Sequence, residues 1–187
     1  GKFSVDVADD APAALADAAA LGKYQLIVLD YNGPRWGEKA EADFLNAVKG
    51  GVGVVVIHAS NNAFVGWTEY EKLCGLMWVK DTTGHGKFHP FDVAITDPNH
   101  PITKGLGAFK SHPDELYHKL VNTQNVKFDV LATAMSSTES GGTGKDEPMA
   151  IVLTYGKGRV FHTPLGHTWL GDDVSKSSGI DPQFKTL

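Results

Sequence analysis

One histidine of the chain closes a run of aliphatic residues. His58 follows the segment GVGVVVI and precedes Ser60, Asn61 and Asn62, whose side chains can hydrogen-bond a polar ligand. In a sheet of parallel strands, ligands bind beyond the carboxyl ends of the strands. We therefore expect His58 to transfer protons and Asn61 to hold substrate. The alternative is a structural histidine at the strand end, with Asn62 capping the next helix.

A second pair of histidines lies in the sequence HGKFHP. His85 and His89 are four residues apart, but the interspersed glycines and Pro90 argue against a helix. In an extended segment the pair also shares a face, because side chains alternate with a period of two. Both imidazoles can then reach one site, as substrate-binding donors to sugar-like hydroxyls or as ligands of a divalent metal such as zinc. The Glu that follows the first His in the zinc-protease motif is absent.

The densest cluster of titratable residues is SHPDELYH, residues 111–118. It holds two acids, two histidines and Tyr117, a composition that suits general acid–base chemistry with Glu115 as a proton-transfer group and Tyr117 as a substrate contact. The same residues are typical of a helix start, because Ser111 can cap and Pro113 fits a first turn. The two interpretations are compatible.

The remaining candidates lie near a predicted hairpin, residues 149–155 and 159–163 around Gly-Lys-Gly. His167 follows the second strand and is expected in proton transfer, and Arg159 is expected to hold substrate hydroxyls. The Gly-Lys-Gly-Arg segment lacks the full phosphate-loop pattern, so a turn is favoured. His100 precedes Pro101 in a turn cluster and is expected to be structural. The single cysteine, Cys74, is most simply a small core residue.

Strands and helices must alternate to position these residues. The expected strands are residues 5–7, 24–30, 51–58 and 91–97, the second and third being apolar enough to lie adjacent, parallel and central in a sheet. Helices are expected over residues 12–21 and 38–49, each closed by glycine. This βαβαβ order predicts a parallel sheet with helices on both faces. The tail after Gly171 shows no clear periodicity.

Composition excludes several classes of function. The 187 residues carry a net charge of −5 with no clustered basic patch, which argues against nucleic acid as a partner. The longest apolar run is far shorter than the roughly 20 residues of a membrane-spanning helix, so no membrane association is expected. The first residues lack an initiator Met, and we expect natural sequence upstream, so the compartment stays open between cytoplasmic and periplasmic or secreted.

Five segments in order resemble the ThuA-like, or trehalose-utilisation, family. They are GVGVVVIHAS (51–60), EYEKLCGLMW (69–78), HGKFHPFDVAITDPNHPITKGL (85–106), DELYHK (114–119) and EPMAIVLTYGKGRVFHTPLGH (147–167). The resemblance implies one ThuA-like domain over residues 1–187, apparently truncated at both ends. It implies an α/β three-layer sandwich with a mostly parallel central sheet, flavodoxin-like or class I glutamine amidotransferase-like, plus an antiparallel hairpin extension.

The resemblance also implies a role in disaccharide or keto-sugar utilisation. The expected activity is that of an enzyme on a glycoside or oxidised sugar, with a small carbohydrate as ligand; a homo-oligomer is left open. A Cys-dependent glutamine amidotransferase is not expected, because Cys74 lies sixteen residues beyond His58 in a predicted helix. The alternatives are a non-catalytic carbohydrate-binding or partner-binding domain and a metal-dependent hydrolase using His85 and His89.

Overall fold

The computed structural model describes residues 3–15 and 17–168. These residues form two sheets flanked by short helices. The strands are β1 (Leu26–Leu29), β2 (Gly53–Ile57), β3 (Gly84–His85), β4 (His89–Ile95), β5 (Phe109–Asp114), β6 (Tyr117–His118), β7 (Asp129–Met135), β8 (Asp146–Tyr155) and β9 (Gly158–Thr163). The helices are α1 (Ala11–Leu15), α2 (Ala18–Leu21), α3 (Glu38–Gly50) and α4 (Thr68–Cys74), with short 3₁₀ helices at His58–Asn62 and Thr138–Ser140.

The larger sheet has seven strands in the order β1-β2-β9-β8-β7-β4-β5. The pairs β1-β2 and β2-β9 are parallel, and the pairs from β9 to β5 are antiparallel. Among the described strands the sheet is therefore mixed, and the expected mostly parallel sheet is correct only for β1, β2 and β9. The predicted β8-β9 hairpin is confirmed and returns the chain so that β9 runs beside β2. The three-layer arrangement stays a prediction.

The prediction that β1 is a central strand is wrong. β1 pairs with β2 in parallel, as expected, but among the strands of the described residues it occupies the edge of the larger sheet. Leu26 and Val28 are 49% and 54% exposed, whereas Val54 and Val56 of β2 are buried. An apolar run shows that a strand is suited to burial, but its burial depends on which elements cover it. The expected strand over residues 5–7 is not formed: Val5 and Val7 are exposed and lie outside the strands of the sheets.

Helix α3 connects β1 to β2 and packs on the sheet. It buries Phe44, Leu45 and Val48, the face that the sequence pattern predicted, and ends at Gly51, whose φ of 127° is unfavourable for residues other than glycine. The predicted helix over residues 12–21 is divided into α1 and α2. Among the described residues no helix has the length and apolar character needed to cross a bilayer.

The helix start expected at residues 111–118 is wrong, since these residues form the end of β5, a link and β6. β5 is an edge strand that pairs with β4, and Pro113 lies opposite Pro90 in that pair. Neither proline has an N–H, so at this position neither residue has a donor that would need a partner on the opposite strand. Such positions are where a sheet tolerates proline. The tail after Gly171 lies outside the described residues.

Candidate functional site

The candidate site begins at His58, the first residue after β2. His58 has a φ of 45°, so the chain turns sharply out of the strand into a 3₁₀ helix. Its Nδ1–H donates to the carbonyl oxygen of Pro164 at 2.7 Å, a bond that holds the ring against the segment after β9. Since a carbonyl only accepts, the neutral ring carries its proton on Nδ1, and Nε2 presents a lone pair to the site. Burial lowers the pKa of His58 below its ordinary value, which favours this neutral form.

Glu115 and His167 meet His58 from two distant segments. His167 Nδ1 lies 2.9 Å from His58 Nε2 and 2.7 Å from Glu115 Oε1, and Glu115 Oε1 lies 3.9 Å from His58 Nε2. Glu115 and His58 are buried, and His167 is partly exposed. The structure thus brings together the three residues that the sequence analysis assigned to proton transfer; their catalytic roles stay a prediction.

Tyr117, His85 and Trp78 extend the site towards solvent. The Tyr117 hydroxyl lies 2.9 Å from His58 Nε2, and burial raises the pKa of Tyr117, so the hydroxyl stays protonated and donates. His85 pairs with Tyr117 across the small β3-β6 sheet, and its Nδ1 lies 3.1 Å from Glu115 Oε2. The Trp78 ring packs edge-on against Tyr117 at 4.7 Å between centroids. His85 and Tyr117 therefore lie where substrate contact was expected.

Asp114 connects the end of β5 to the loop that carries His167. It is fully buried, and its two carboxylate oxygens accept backbone N–H groups from Glu115 at 2.7 Å and Gly166 at 2.9 Å. These bonds tie the residue after β5 to the loop that carries His167. Carboxylates engaged by backbone amides stabilise structure more readily than they exchange protons. The position of Asp114 among other titratable residues was a signal of chemistry, but its contacts indicate positioning.

Asn61 faces the core beneath His58, and its expected contact with substrate stays a prediction. Its side chain is fully buried, and its Nδ2 donates to His162 Nε2 at 3.2 Å. His162 is also fully buried, and its Nδ1–H donates to the Cys74 carbonyl at 3.1 Å. Burial lowers the pKa of His162 to about 4. The 3₁₀ turn directs Asn61 into the core beneath His58, an orientation that the sequence cannot indicate.

Cys74 is buried in α4, and its thiol donates to the Leu76 carbonyl at 3.2 Å. Burial raises the pKa of this thiol well above its ordinary value. A neutral, inaccessible thiol is not a nucleophile. Ser60 is equally engaged, because its Oγ donates to the Leu29 carbonyl and accepts the Tyr31 N–H. Both residues stabilise the ends of strands and helices around the site.

Arg159 and His89 lie away from the three central residues. Arg159 is near the amino end of β9, whereas His58 follows the carboxyl end of the parallel strand β2, so the two are separated by five strand positions, about 16 Å along the strand direction. His89 Nδ1–H donates to the Lys87 carbonyl, and the ring lines a separate surface cavity with Phe88, Ser137 and Glu139. The structure therefore does not bring Arg159 and His89 together with His58, Glu115 and His167, and their roles in substrate binding stay predictions.

Within the described residues, one group of three could hold a metal ion, and it is His58, Glu115 and His167. The expected pair His85 and His89 does not belong to it, although His85 contacts Glu115. Two imidazoles and a carboxylate can relay protons or ligate zinc. Pro164, His162 and Trp78 were not predicted as residues of the site; the signal for them in the sequence was their position in the five matching segments.

The fold and the site together define an α/β protein with a His-Glu-His cluster at the carboxyl edge of its parallel strands. The chain belongs to the ThuA family, described as trehalose utilisation, whose family model matches residues 1–172. A search of curated proteins finds no match to the sequence.

Solved structures agree with this assignment. A ThuA-like protein from Parabacteroides merdae ATCC 43184 is 32% identical, with a TM-score of 0.79 over 99% of this chain and 74% of that chain. A ThuA-like protein from Bacteroides uniformis ATCC 8492 is 20% identical, with a TM-score of 0.69 over 88% of this chain and 68% of that chain. At this lower identity the second likeness shows the fold alone.

Proposed function

We propose that the chain is an enzyme of carbohydrate utilisation that acts on a glycoside or an oxidised sugar through His58, Glu115 and His167. The observation that carries the proposal is their convergence, with His167 Nδ1 within 2.9 Å of both His58 Nε2 and Glu115 Oε1. Residues more than 50 positions apart meet at the sheet edge where this class of fold binds ligands. The family description supports a sugar as the substrate.

The chemistry follows from the protonation of each group. Neutral His58 offers the lone pair of Nε2 as a base, held in place by the Nδ1–H bond to Pro164. His167 Nδ1 lies 2.7 Å from Glu115 Oε1, and we assign this pair as the acid partner. The site therefore holds one group that accepts a proton and a pair that delivers one.

The number of free carboxylates favours an oxidised sugar over an ordinary glycoside. Classical glycosidases use two carboxylates on opposite sides of the bond. Here Asp114 is occupied by two backbone amides, which leaves Glu115 as the acid of the cluster. A ketone on the sugar acidifies the neighbouring C–H bond, so an imidazole suffices as the base. His58 takes that proton, the C–H electrons form a C=C bond, the glycosidic C–O bond breaks, and the His167-Glu115 pair protonates the departing oxygen.

The test is turnover of a panel of disaccharides and their 3-keto forms, with products identified by mass spectrometry. The variants are His58→Ala, Glu115→Gln and His167→Ala, and the control is His100→Ala in the turn after Asp97, at matched folding by circular dichroism. Each site variant is expected to lose about 10²–10⁴-fold in rate, as proton-transfer groups commonly do. The control should keep its rate. Unchanged activity in the site variants contradicts the proposal.

The alternative function is a carbohydrate-binding domain without turnover. The partly exposed Trp78 ring, packed against the buried Tyr117, offers apolar surface for a sugar beside the polar cluster. Saccharide binding by calorimetry without turnover across the panel would favour this alternative.

A further inference from the structure

We propose that His58, Glu115 and His167 bind one divalent transition-metal ion, with zinc the best match, leaving one coordination position open to substrate or water. The inference rests on the proposed function only for what the ion does to the substrate. Binding itself is a property of the three side chains and is measurable without any sugar.

The separations between the three ligand atoms match those of a tetrahedral zinc site. Zinc binds imidazole nitrogen and carboxylate oxygen at about 2.0–2.2 Å, which places two ligands of a tetrahedron about 3.3 Å apart. His58 Nε2, His167 Nδ1 and Glu115 Oε1 are separated by 2.9, 2.7 and 3.9 Å. Changes of about 0.4–0.6 Å in each distance bring all three to the tetrahedral value.

The surroundings orient the ligands as they do in metal sites. The Nδ1–H of His58 donates to the Pro164 carbonyl, so the ring presents Nε2 as a ligand atom. His85 Nδ1 donates to the Gly86 carbonyl at 2.8 Å and lies 3.1 Å from Glu115 Oε2, while Glu115 Oε1 faces His58 and His167. The bond from His58 to Pro164 is the kind of outer hydrogen bond to a backbone carbonyl that metal-binding histidines characteristically make.

The three ligand atoms are in mutual contact. His167 Nδ1 lies 2.9 Å from His58 Nε2 and 2.7 Å from Glu115 Oε1, and the Tyr117 hydroxyl lies 2.9 Å from His58 Nε2. A cation that binds among the three atoms displaces the proton between them and is attracted by a lone pair of each.

Two imidazoles and one carboxylate are the ligand set of a class of catalytic zinc sites that keep a water in the fourth position. Zinc lowers the pKa of bound water to about 7 and polarises carbonyl oxygens. With zinc held by His58, Glu115 and His167, a bound water would serve as the proton acceptor, and the ion would polarise a keto group of the sugar. The Tyr117 hydroxyl, 2.9 Å from His58 Nε2, lies next to one of these ligand atoms.

The experiment measures metal binding directly. The chain is stripped with chelator, and Zn²⁺ binding is measured by isothermal titration calorimetry, with Co²⁺ substitution followed by visible absorption. We expect one ion per chain and a tetrahedral Co²⁺ spectrum. His167→Ala and Glu115→Gln should each weaken Zn²⁺ binding by more than about 100-fold, because loss of outer hydrogen bonds alone costs about 10–100-fold. His100→Ala is the matched control and should bind Zn²⁺ as the parent does.

The outcomes separate the two proposals. A stoichiometry near zero, or equal Zn²⁺ affinity in His167→Ala and the parent, overturns the metal site and leaves the acid–base proposal standing. His167 is partly exposed, so its alanine variant is expected to fold, and circular dichroism checks this. Stoichiometric Zn²⁺ lost in the site variants supports the metal site even if no sugar of the panel is turned over.

Discussion

The buried histidine beneath the site predicts a specific loss of stability in acid. His162 is fully buried on β9, and its pKa is lowered to about 4 from an ordinary 6.5. In the unfolded chain this imidazole takes up a proton near pH 6.5, whereas in the folded protein it stays neutral until about pH 4. The unfolded state therefore binds more protons in this interval, and the free energy of unfolding falls as pH is lowered from 6.5 to 4.

The magnitude follows from the difference between the two pKa values. One pKa unit corresponds to about 1.36 kcal/mol, so His162 alone accounts for a loss of about 3 kcal/mol over the interval. That is a large fraction of the roughly 5–15 kcal/mol by which domains are stable. Above pH 6.5 the imidazole of His162 is neutral in both the folded and the unfolded state, so this loss of stability is absent. Burial of His58 lowers its pKa as well and acts in the same direction.

The assay is urea unfolding at pH 7.5 and pH 4.5 for the parent and for His162→Gln, which cannot titrate. The variant's free energy of unfolding should fall less on acidification than the parent's, by about 2–3 kcal/mol. Val160→Ala is the matched control: it creates a cavity on the same strand, keeps every histidine, and should retain the parent's pH dependence. Identical pH dependence in parent and His162→Gln would refute the argument.

Three further predictions concern the framework of the site. Asp114→Asn places an amide hydrogen against a backbone N–H, so urea unfolding should show a loss of about 1–3 kcal/mol, and sugar turnover should fall as the Gly166 loop shifts; a variant as stable as the parent contradicts this. Cys74 should react with a thiol reagent only after unfolding, and rapid labelling of the native protein would show that its burial is wrong. Gly158→Ala brings a Cβ within 2.5 Å of the Val48 carbonyl and should cost about 1–3 kcal/mol in urea unfolding; an unchanged midpoint would mean that α3 moves freely.

Local sequence patterns were sufficient to predict those elements whose structure is determined by their own residues. The hairpin β8-β9 was predictable because two apolar, strand-like runs flank a tight Gly-Lys-Gly turn. Helix α3 was predictable because its apolar face has helical spacing and glycines follow it. The order of strands in the sheet was not, because it depends on long-range pairing that leaves no local pattern.

The error at residues 111–118 has a clear physical origin. Proline and acidic residues after a serine are typical of a helix start, yet here Pro113 lies on an edge strand opposite Pro90. Both helix N-termini and sheet edges have backbone positions that need no N–H. The two settings therefore select the same residues, and the sequence cannot distinguish them without knowing the partner strand.

Whether a residue belongs to the candidate site depends on the direction of its side chain more than on the segment in which it lies. His58 and Asn61 are three residues apart in one 3₁₀ turn, but His58 faces Glu115 and His167 while Asn61 faces His162 in the core. This division follows from the positive φ of His58, which aims its ring at the loop after β9 and turns the next residues inward. A left-handed conformation costs about 1–3 kcal/mol and persists where the surroundings hold it. At His58 the ring is held by hydrogen bonds to the Pro164 carbonyl and the Tyr117 hydroxyl. These contacts maintain the strained backbone of His58 at the point where the side chains of His58, Glu115 and His167 meet.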